Sequence, residues 1–136
     1  MTSRAHIEET VRSLYAARCR SDLEGVMKGI ADDAVFTFNG RGTGHPAMAD
    51  EKRSKPAIRT VVGELIDNFR FDDWKELALL VDGDKALLHW TAKVTCVPTK
   101  KAERFEVLDL VTFRDGKIVD FRQCTDTALV AVIATP

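Results

Sequence analysis

"FEVLDLVTFRDGKIVDFRQ", residues 105–123, contains two β-strand patterns joined by a short turn. The turn, residues 114–117, includes an Asp-Gly pair, which is among the strongest short hairpin signals. Side chains alternate between the two faces of a strand, so the first strand carries Asp109 in the middle of its more apolar face. The apolar residues of that face are Phe105, Val107, Val111 and Phe113.

A second hairpin precedes this one in the sequence. Residues 69–98 contain two runs rich in apolar residues, joined by the turn Asp82-Gly83-Asp84. Residues 98–101 then connect the two hairpins. Two successive hairpins predict an antiparallel meander, which forms the second half of the protein.

The first half of the chain has helical periodicity instead. Residues 5–20 repeat apolar side chains at spacings of three and four, which predicts an amphipathic helix. A second, shorter helix is predicted after Ser21 as N-cap, with Glu24 in the capping-box position. Residues 34–38 predict a strand, and a third helix is predicted to start at Pro56, which suits a first helical turn.

Two segments leave alternatives open. Residues 40–55 form a long, charged connection, for which a lid or an edge hairpin is favoured over a passive loop. The apolar C-terminus, residues 125–136, is compatible with a closing helix capped by Thr125 or Asp126, or with an extra edge strand. We favour the helix.

Composition limits the class of protein. The 136 residues fit one domain, residues 1–136, with 20 basic and 21 acidic side chains and a net charge of -1. The sequence contains no cluster of basic residues of the kind that binds nucleic acid. It also contains no apolar run of about 20 residues, the length needed to span a membrane. The N-terminus lacks the apolar core of a signal peptide, so we expect a cytoplasmic protein. Three scattered cysteines and no paired histidines predict no metal and no cofactor.

Helices followed by a meander predict an α+β fold, in which three N-terminal helices cover one face of the sheet. This order resembles the nuclear-transport-factor-2-like superfamily. The resemblance is carried by "SDLEGVMKGIADDAVFTFNG", residues 21–40, and by "VLDLVTFRDGKIVDFRQCTDTAL", residues 107–129. Within the superfamily, the chain is most similar to SnoaL-like and ketosteroid-isomerase-related proteins. The resemblance implies a cone-like, curved antiparallel sheet around an apolar cavity, and a homodimer formed through the sheet.

Functional residues of these relatives transfer only in part. The resemblance to ketosteroid isomerases places their protonated aspartate on Asp109, their tyrosine on Leu14, with Tyr15 one residue away, and their base on Phe38. The epoxide-hydrolase positions fall on Trp90, Ala92 and Gln123, and the base of the polyketide cyclases also falls at or near Gln123. Leu14, Phe38, Trp90, Ala92 and Gln123 cannot transfer protons as the residues of the relatives do at these positions.

The same resemblance defines an inward sheet face with few polar groups, as is typical of a small-molecule pocket. From it we predict ligand contacts by Trp90, Gln123, Asn39, Phe38, Leu14, Val107 and Phe121, with Val119 and Thr125 also facing inward. Burial would raise the pKa of Asp109 and leave it able to donate a hydrogen bond. The alternative is a structural aspartate bonded to Trp90 or Gln123. His45 and Tyr15 are the further catalytic candidates, whereas His89 is expected to point outward.

Three functions remain open at this stage. The first is a binding protein for a small hydrophobic molecule, without catalysis. The second is an isomerase or cyclase-like enzyme acting on a ketone-bearing ring through Asp109. The third is an accessory subunit that binds another protein. The outward face around Leu108 and Leu110 is half apolar, and a homodimer through the sheet would cover it.

Overall fold

Six strands and four helices make up the fold of the computed structural model, which describes residues 2–40, 48 and 50–136. In chain order the elements are α1 (Arg4–Cys19), α2 (Leu23–Met27), β1 (Ile30–Phe38), β2 (Lys52–Arg53), α3 (Lys55–Asn68), β3 (Phe69–Asp82), β4 (Lys85–Cys96), β5 (Ala102–Arg114), β6 (Lys117–Cys124) and α4 (Thr127–Ala134). The predicted α+β class, with helices ahead of a meander, is confirmed.

The six strands form one sheet in the order β2-β1-β6-β5-β4-β3. Strands β3 to β6 form the predicted antiparallel meander, and β2 pairs antiparallel with β1 at the edge. The pairing of β1 with β6 is parallel, so the sheet is mixed rather than wholly antiparallel. Turn signals identify only consecutive strands, and β1 and β6 lie at opposite ends of the sequence.

The two faces of the meander differ as alternation predicts. On β5 the buried residues are Phe105, Val107, Asp109, Val111 and Phe113. The same alternation buries every second residue of β4 from Ala86 to Cys96. This face packs against the helices, and the opposite face is largely exposed.

Strand β6 breaks the alternation at one point. Thr112 pairs with Asp120, but Phe113 pairs with Ile118, so Val119 is an extra residue in a β-bulge. Ile118 is therefore fully buried and Val119 is only half-buried. The prediction that Val119 faces inward is wrong, because counting by twos fails across a bulge.

The short helix α2 begins one residue later than predicted. Its N-cap is Asp22, whose carboxylate accepts a hydrogen bond from the backbone N–H of Gly25 at 3.0 Å. Ser21 has a φ of 57° and lies in the turn between α1 and α2. The predicted Ser21 cap is wrong because the Asp22 carboxylate, and not the Ser21 hydroxyl, accepts the hydrogen bond from the first turn of α2.

The other helices agree with the sequence. Helix α3 has Pro56 in its first turn and Ser54 as its N-cap. The C-terminus is a helix, α4, whose N-cap Asp126 accepts a hydrogen bond from Leu129 at 3.0 Å. The edge-strand alternative is therefore wrong. No helix among the described residues is long and apolar enough to span a membrane.

Candidate functional site

A cavity of about 100 Å³ lies between the buried face of the sheet and the helices. Helix α1, helix α3, the inner strands and α4 each contribute to its walls, which are mainly aliphatic and aromatic. Six of the seven predicted ligand contacts line it, namely Leu14, Phe38, Trp90, Val107, Phe121 and Gln123. Few polar side chains reach it: Tyr15, Arg18, Gln123 and Thr125 among the described lining residues.

Asp109 is the centre of a buried hydrogen-bond network next to this cavity. Its side chain is fully buried. One carboxylate oxygen, Oδ2, accepts from the Tyr15 hydroxyl and from Trp90 Nε1 at 2.8 Å. The other oxygen, Oδ1, accepts from Gln123 Nε2 at 3.0 Å, and the same nitrogen donates to the Tyr15 oxygen at 3.0 Å. Three donors from three different elements therefore satisfy one acid.

Burial controls the ionisation of this network. Removal from water raises the pKa of Asp109 to about 6, although the hydrogen bonds from Tyr15, Gln123 and Trp90 act in the opposite direction. Burial, and then the charge of Asp109, raises the pKa of Tyr15 well above its ordinary value. In the arrangement described, the carboxyl group accepts hydrogen bonds from all three neighbours, while Tyr15 keeps its proton.

Asp109 does not itself line the cavity. Tyr15, Trp90 and Gln123 lie between its carboxylate and the cavity space. Its oxygens accept hydrogen bonds from these neighbours. This arrangement agrees with the alternative given in the sequence analysis, a structural aspartate bonded to Trp90 or Gln123. The expected direct contact between Asp109 and a ligand is not present in this arrangement, because the residues that satisfy the acid also cover it.

Tyr15 belongs to the Asp109 network, although the resemblance had placed the tyrosine position one residue earlier. The resemblance placed the tyrosine position on Leu14, yet it is the Tyr15 hydroxyl that donates to Asp109. Both residues line the cavity, since neighbouring residues of α1 share a broad buried face. Trp74 stacks on the Tyr15 ring with centroids 5.2 Å apart and holds it in place.

Other candidates lie elsewhere. Asn39 is not among the cavity residues, because its amide group exchanges two hydrogen bonds with the backbone of Thr125, at 3.1 and 3.2 Å. His89 points outward as expected and contacts Glu106 at 3.2 Å. His45 lies outside the described residues, so its role as a base stays a prediction. Among the described residues no group of three potential ligands could hold a metal ion.

Arg18 is the polar cavity residue that the sequence analysis missed. Its Nη2 donates to the backbone oxygens of Leu65 at 3.1 Å and Phe69 at 2.7 Å. Its guanidinium carbon lies 3.9 Å from the centre of the Phe71 ring. A signal existed, since Arg18 follows Leu14 by four positions and so falls on the apolar stripe of α1.

A sheet of this topology, covered on one face by helices around an apolar cavity, defines the class of nuclear-transport-factor-2-like folds. Residues 11–121 match the family model of the SnoaL-like domain, and the chain belongs to that family. No curated protein sequence matches the chain.

Solved structures agree with this assignment. An NTF2-like protein from Burkholderia thailandensis is 31% identical, with 94% of this chain and 96% of that chain covered and a TM-score of 0.76. A putative isomerase from Bacillus subtilis is 17% identical, covering 98% and 96%, with a TM-score of 0.86. A putative SnoaL-like polyketide cyclase from Jannaschia is 16% identical, covering 100% and 98%, with a TM-score of 0.80. The last two share the fold with this chain, and their chemistry is not transferred.

Proposed function

We propose that this protein binds a small, single-ring apolar molecule in the cavity between the sheet and the helices, and that binding does not require catalysis. The observation that carries the proposal is the composition of the cavity wall. It is mainly apolar, with a few polar side chains that converge on the same space, as in small-molecule sites.

The side chains of the cavity wall favour binding of a ligand over its chemical conversion. None of the described residues that line the cavity is an aspartate, a glutamate or a histidine. A general base must come within hydrogen-bond reach of the proton that it removes. Asp109 lies behind Tyr15 and Gln123, where its oxygens are already occupied.

The volume favours a small ligand. A cavity of about 100 Å³ is below the roughly 300–1,000 Å³ of drug-sized sites, and closer to the ~150 Å³ engineered cavity that binds benzene. A single ring with one or two substituents fits this space. A fused four-ring steroid would require the walls to move apart.

The network also favours particular ligand groups. Tyr15 donates its only proton to Asp109, so its oxygen can only accept from a ligand. Gln123 uses its Nε2 on Tyr15 and Asp109, and its Oε1 has no hydrogen-bond partner among the described residues. While Asp109 is ionised, these two groups can accept a hydrogen bond from a hydroxyl or N–H group where the ligand carries one.

Tryptophan fluorescence provides a direct test, because Trp90 lines the cavity. Cyclohexanol and phenol should change the emission of the protein saturably and raise its melting temperature, since a ligand that binds only the folded state stabilises it. The absence of both effects up to the solubility limit would contradict the proposal.

Two substitutions on one strand provide the matched control. Val107→Phe places a ring into the cavity and should abolish binding, whereas Leu108→Phe places the same ring on the outward face and should leave binding unchanged. Circular dichroism verifies that both variants are folded. Equal loss of binding in the two variants would show that the probes bind outside the cavity.

An isomerase or cyclase-like enzyme is the second candidate, favoured by the buried carboxyl group with a pKa of about 6 beside a tyrosine. The test is the conversion of 3-cyclohexenone into its conjugated isomer, followed by ultraviolet absorbance. Turnover by the wild type that is lost in Asp109→Asn and Tyr15→Phe would support the enzyme. Binding of the ketone without conversion would favour the binding protein.

A further inference from the structure

We propose that the ligand of this cavity carries a carboxylate or a similar monoanionic group, and that Nη1 of Arg18 binds it. The inference deepens the proposed function and rests on it, since it presupposes that a small molecule occupies the cavity.

The first argument is the burial of an unpaired cation. Arg18 is 8% exposed and lines the cavity. The ion pairs found among the described residues do not include it, and its Nη1 is buried without a hydrogen-bond partner among them. Burying a charge costs free energy unless a partner of opposite charge compensates it. An anion bound at this guanidinium would supply that compensation.

A purely structural role explains only part of the geometry. Nη2 donates to the carbonyl oxygens of Leu65, in the last turn of α3, and of Phe69, the C-cap of that helix, where a cation is also favoured by the helix dipole. This contact accounts for one edge of the guanidinium. It leaves Nη1 without a function, although each terminal nitrogen of an arginine carries two donors.

The surroundings hold the guanidinium in one orientation. Phe71 covers one face of its plane, and the two backbone carbonyls fix the Nη2 edge. Burial lowers the pKa of Arg18 to about 10, so the group still carries its charge at neutral pH. A fixed, charged donor in an apolar wall is suited to a carboxylate, because charge-assisted hydrogen bonds are stronger than neutral ones.

The chemistry of the wall narrows the ligand class. One cation compensates one negative charge, and the remaining walls are mainly aliphatic and aromatic. A dianionic phosphate would remain undercompensated and strongly hydrated there. The ligand class that fits is therefore a small cyclic or aromatic carboxylic acid, with its ring among the apolar side chains and its carboxylate at Arg18.

Benzoate and benzamide provide the matched pair of probes, because they share size and shape and differ in charge. Their dissociation constants are measured by titration of tryptophan fluorescence at pH 7.5. We expect wild-type protein to bind benzoate about tenfold or more tightly than benzamide, the range expected for hydrogen bonds to a charged group.

Two variants test whether the preference for benzoate over benzamide depends on Arg18. Arg18→Met keeps a long apolar side chain without the charge and should bring the two dissociation constants together. Arg20→Met, two residues further along and exposed, removes the same charge and should leave the preference unchanged. Nitrogen NMR of the guanidinium groups needs no variant: the Arg18 signal should move with benzoate and stay in place with benzamide.

The outcomes separate the two proposals. Equal binding of the two probes, an unchanged preference in folded Arg18→Met, or an Arg18 signal unaffected at saturating benzoate would each overturn the role of Arg18 and leave the cavity as a binding site. If neither benzoate, benzamide nor the neutral alcohols bind, the proposed function itself is overturned, and this inference with it.

Discussion

Asp109 shows how a single buried residue can organise a site without facing it. Its carboxylate receives hydrogen bonds from Tyr15 on α1, Trp90 on β4 and Gln123 on β6. An unpaired buried acid would be strongly destabilising, and these donors reduce that cost. The same bonds fix the tyrosine and glutamine that do line the cavity, so the acid determines which of their polar atoms remain available to a ligand.

The raised pKa of Asp109 makes stability depend on pH. The group has a pKa of 3.8 in the unfolded chain and about 6 in the folded protein, so the folded state binds more protons between these values. Its contribution to the free energy of unfolding is therefore lost as pH rises through this window, by about 3 kcal/mol in total. We expect Asp109→Asn to remove this loss, measured by urea unfolding at pH 4 and pH 7.5.

An acid with the opposite shift provides the control. Arg114 lowers the pKa of Asp33 through a surface ion pair. Asp33→Asn should therefore remove a contribution that is present above the unfolded pKa and is lost as pH falls. Parallel pH profiles for wild type and Asp109→Asn would show that Asp109 titrates as a solvated acid.

Removal of the Tyr15 hydroxyl tests the hydrogen bond to Asp109 by deleting its donor. Tyr15→Phe keeps the ring stacked on Trp74 and deletes the donor to Asp109. Because that donor favours the charged carboxylate, its loss should raise the pKa of Asp109 further above about 6. It should also lower the free energy of unfolding by about 1–3 kcal/mol at pH 7.5.

Carboxyl carbon NMR measures the pKa of Asp109 in each protein, and urea unfolding measures the stability. The double variant Tyr15→Phe/Asp109→Asn gives the coupling between the two residues. A pKa of Asp109 that stays the same in Tyr15→Phe, or a coupling free energy near zero, would mean that the hydrogen bond is absent in solution.

Two helical glycines test packing between whole elements. A methyl group on Gly25 of α2 would lie 2.7 Å from the Cβ of Ala17 on α1, whereas one on Gly63 of α3 would make an ordinary 3.7 Å contact with Leu23. Alanine is favoured over glycine within helices by about 1 kcal/mol. Gly63→Ala should therefore stabilise the protein by up to about 1 kcal/mol, and Gly25→Ala should destabilise it by about 1–3 kcal/mol through overpacking.

Urea unfolding of the two variants measures the difference, and each glycine serves as the control for the other. Stabilisation by both substitutions would show that helix propensity alone decides, and that α1 and α2 pack less closely than described. A loss of stability in Gly63→Ala would contradict the open space beside α3.

At the scale of the whole molecule, the outward face of the sheet carries a row of exposed leucines. Leu80, Leu87 and Leu110 pair directly across β3, β4 and β5, and they are 62%, 38% and 39% exposed. Exposed apolar patches of this kind are typical of interaction surfaces. We propose that two copies of the chain pack this face together in a homodimer, with the same patch contributed by each copy.

Sedimentation velocity tests the dimer. The wild type should sediment at twice the mass of the chain, and Leu87→Lys should sediment as a monomer, because it buries an unpaired charge in the interface. Val132→Lys introduces the same charge at an exposed apolar position on α4, outside the leucine patch of the outward sheet face, and should remain dimeric. A wild-type monomer would contradict the proposal.

Much of the architecture follows from local patterns in the sequence. The two Asp-Gly turns and the alternation around Asp109 predict the meander and its buried face, since both depend on neighbouring residues. The apolar stripes predict α1 and α3 for the same reason. The raised pKa of Asp109 also follows, because an acid on an apolar strand face is removed from water in any fold that buries that face.

Contacts between distant segments were decided by the tertiary structure alone. The parallel pairing of β1 with β6, the cover that Tyr15 and Gln123 provide over Asp109, and the position of Arg18 at the end of α3 each join parts of the chain that are far apart in sequence. The bulge at Val119 depends on how β5 and β6 pair, which alternation along a single strand does not show. Local periodicity places a side chain on a face, but which groups meet there depends on how the elements pack. The sequence therefore determined the scaffold and its buried acid, and packing determined that a buried arginine shares the cavity.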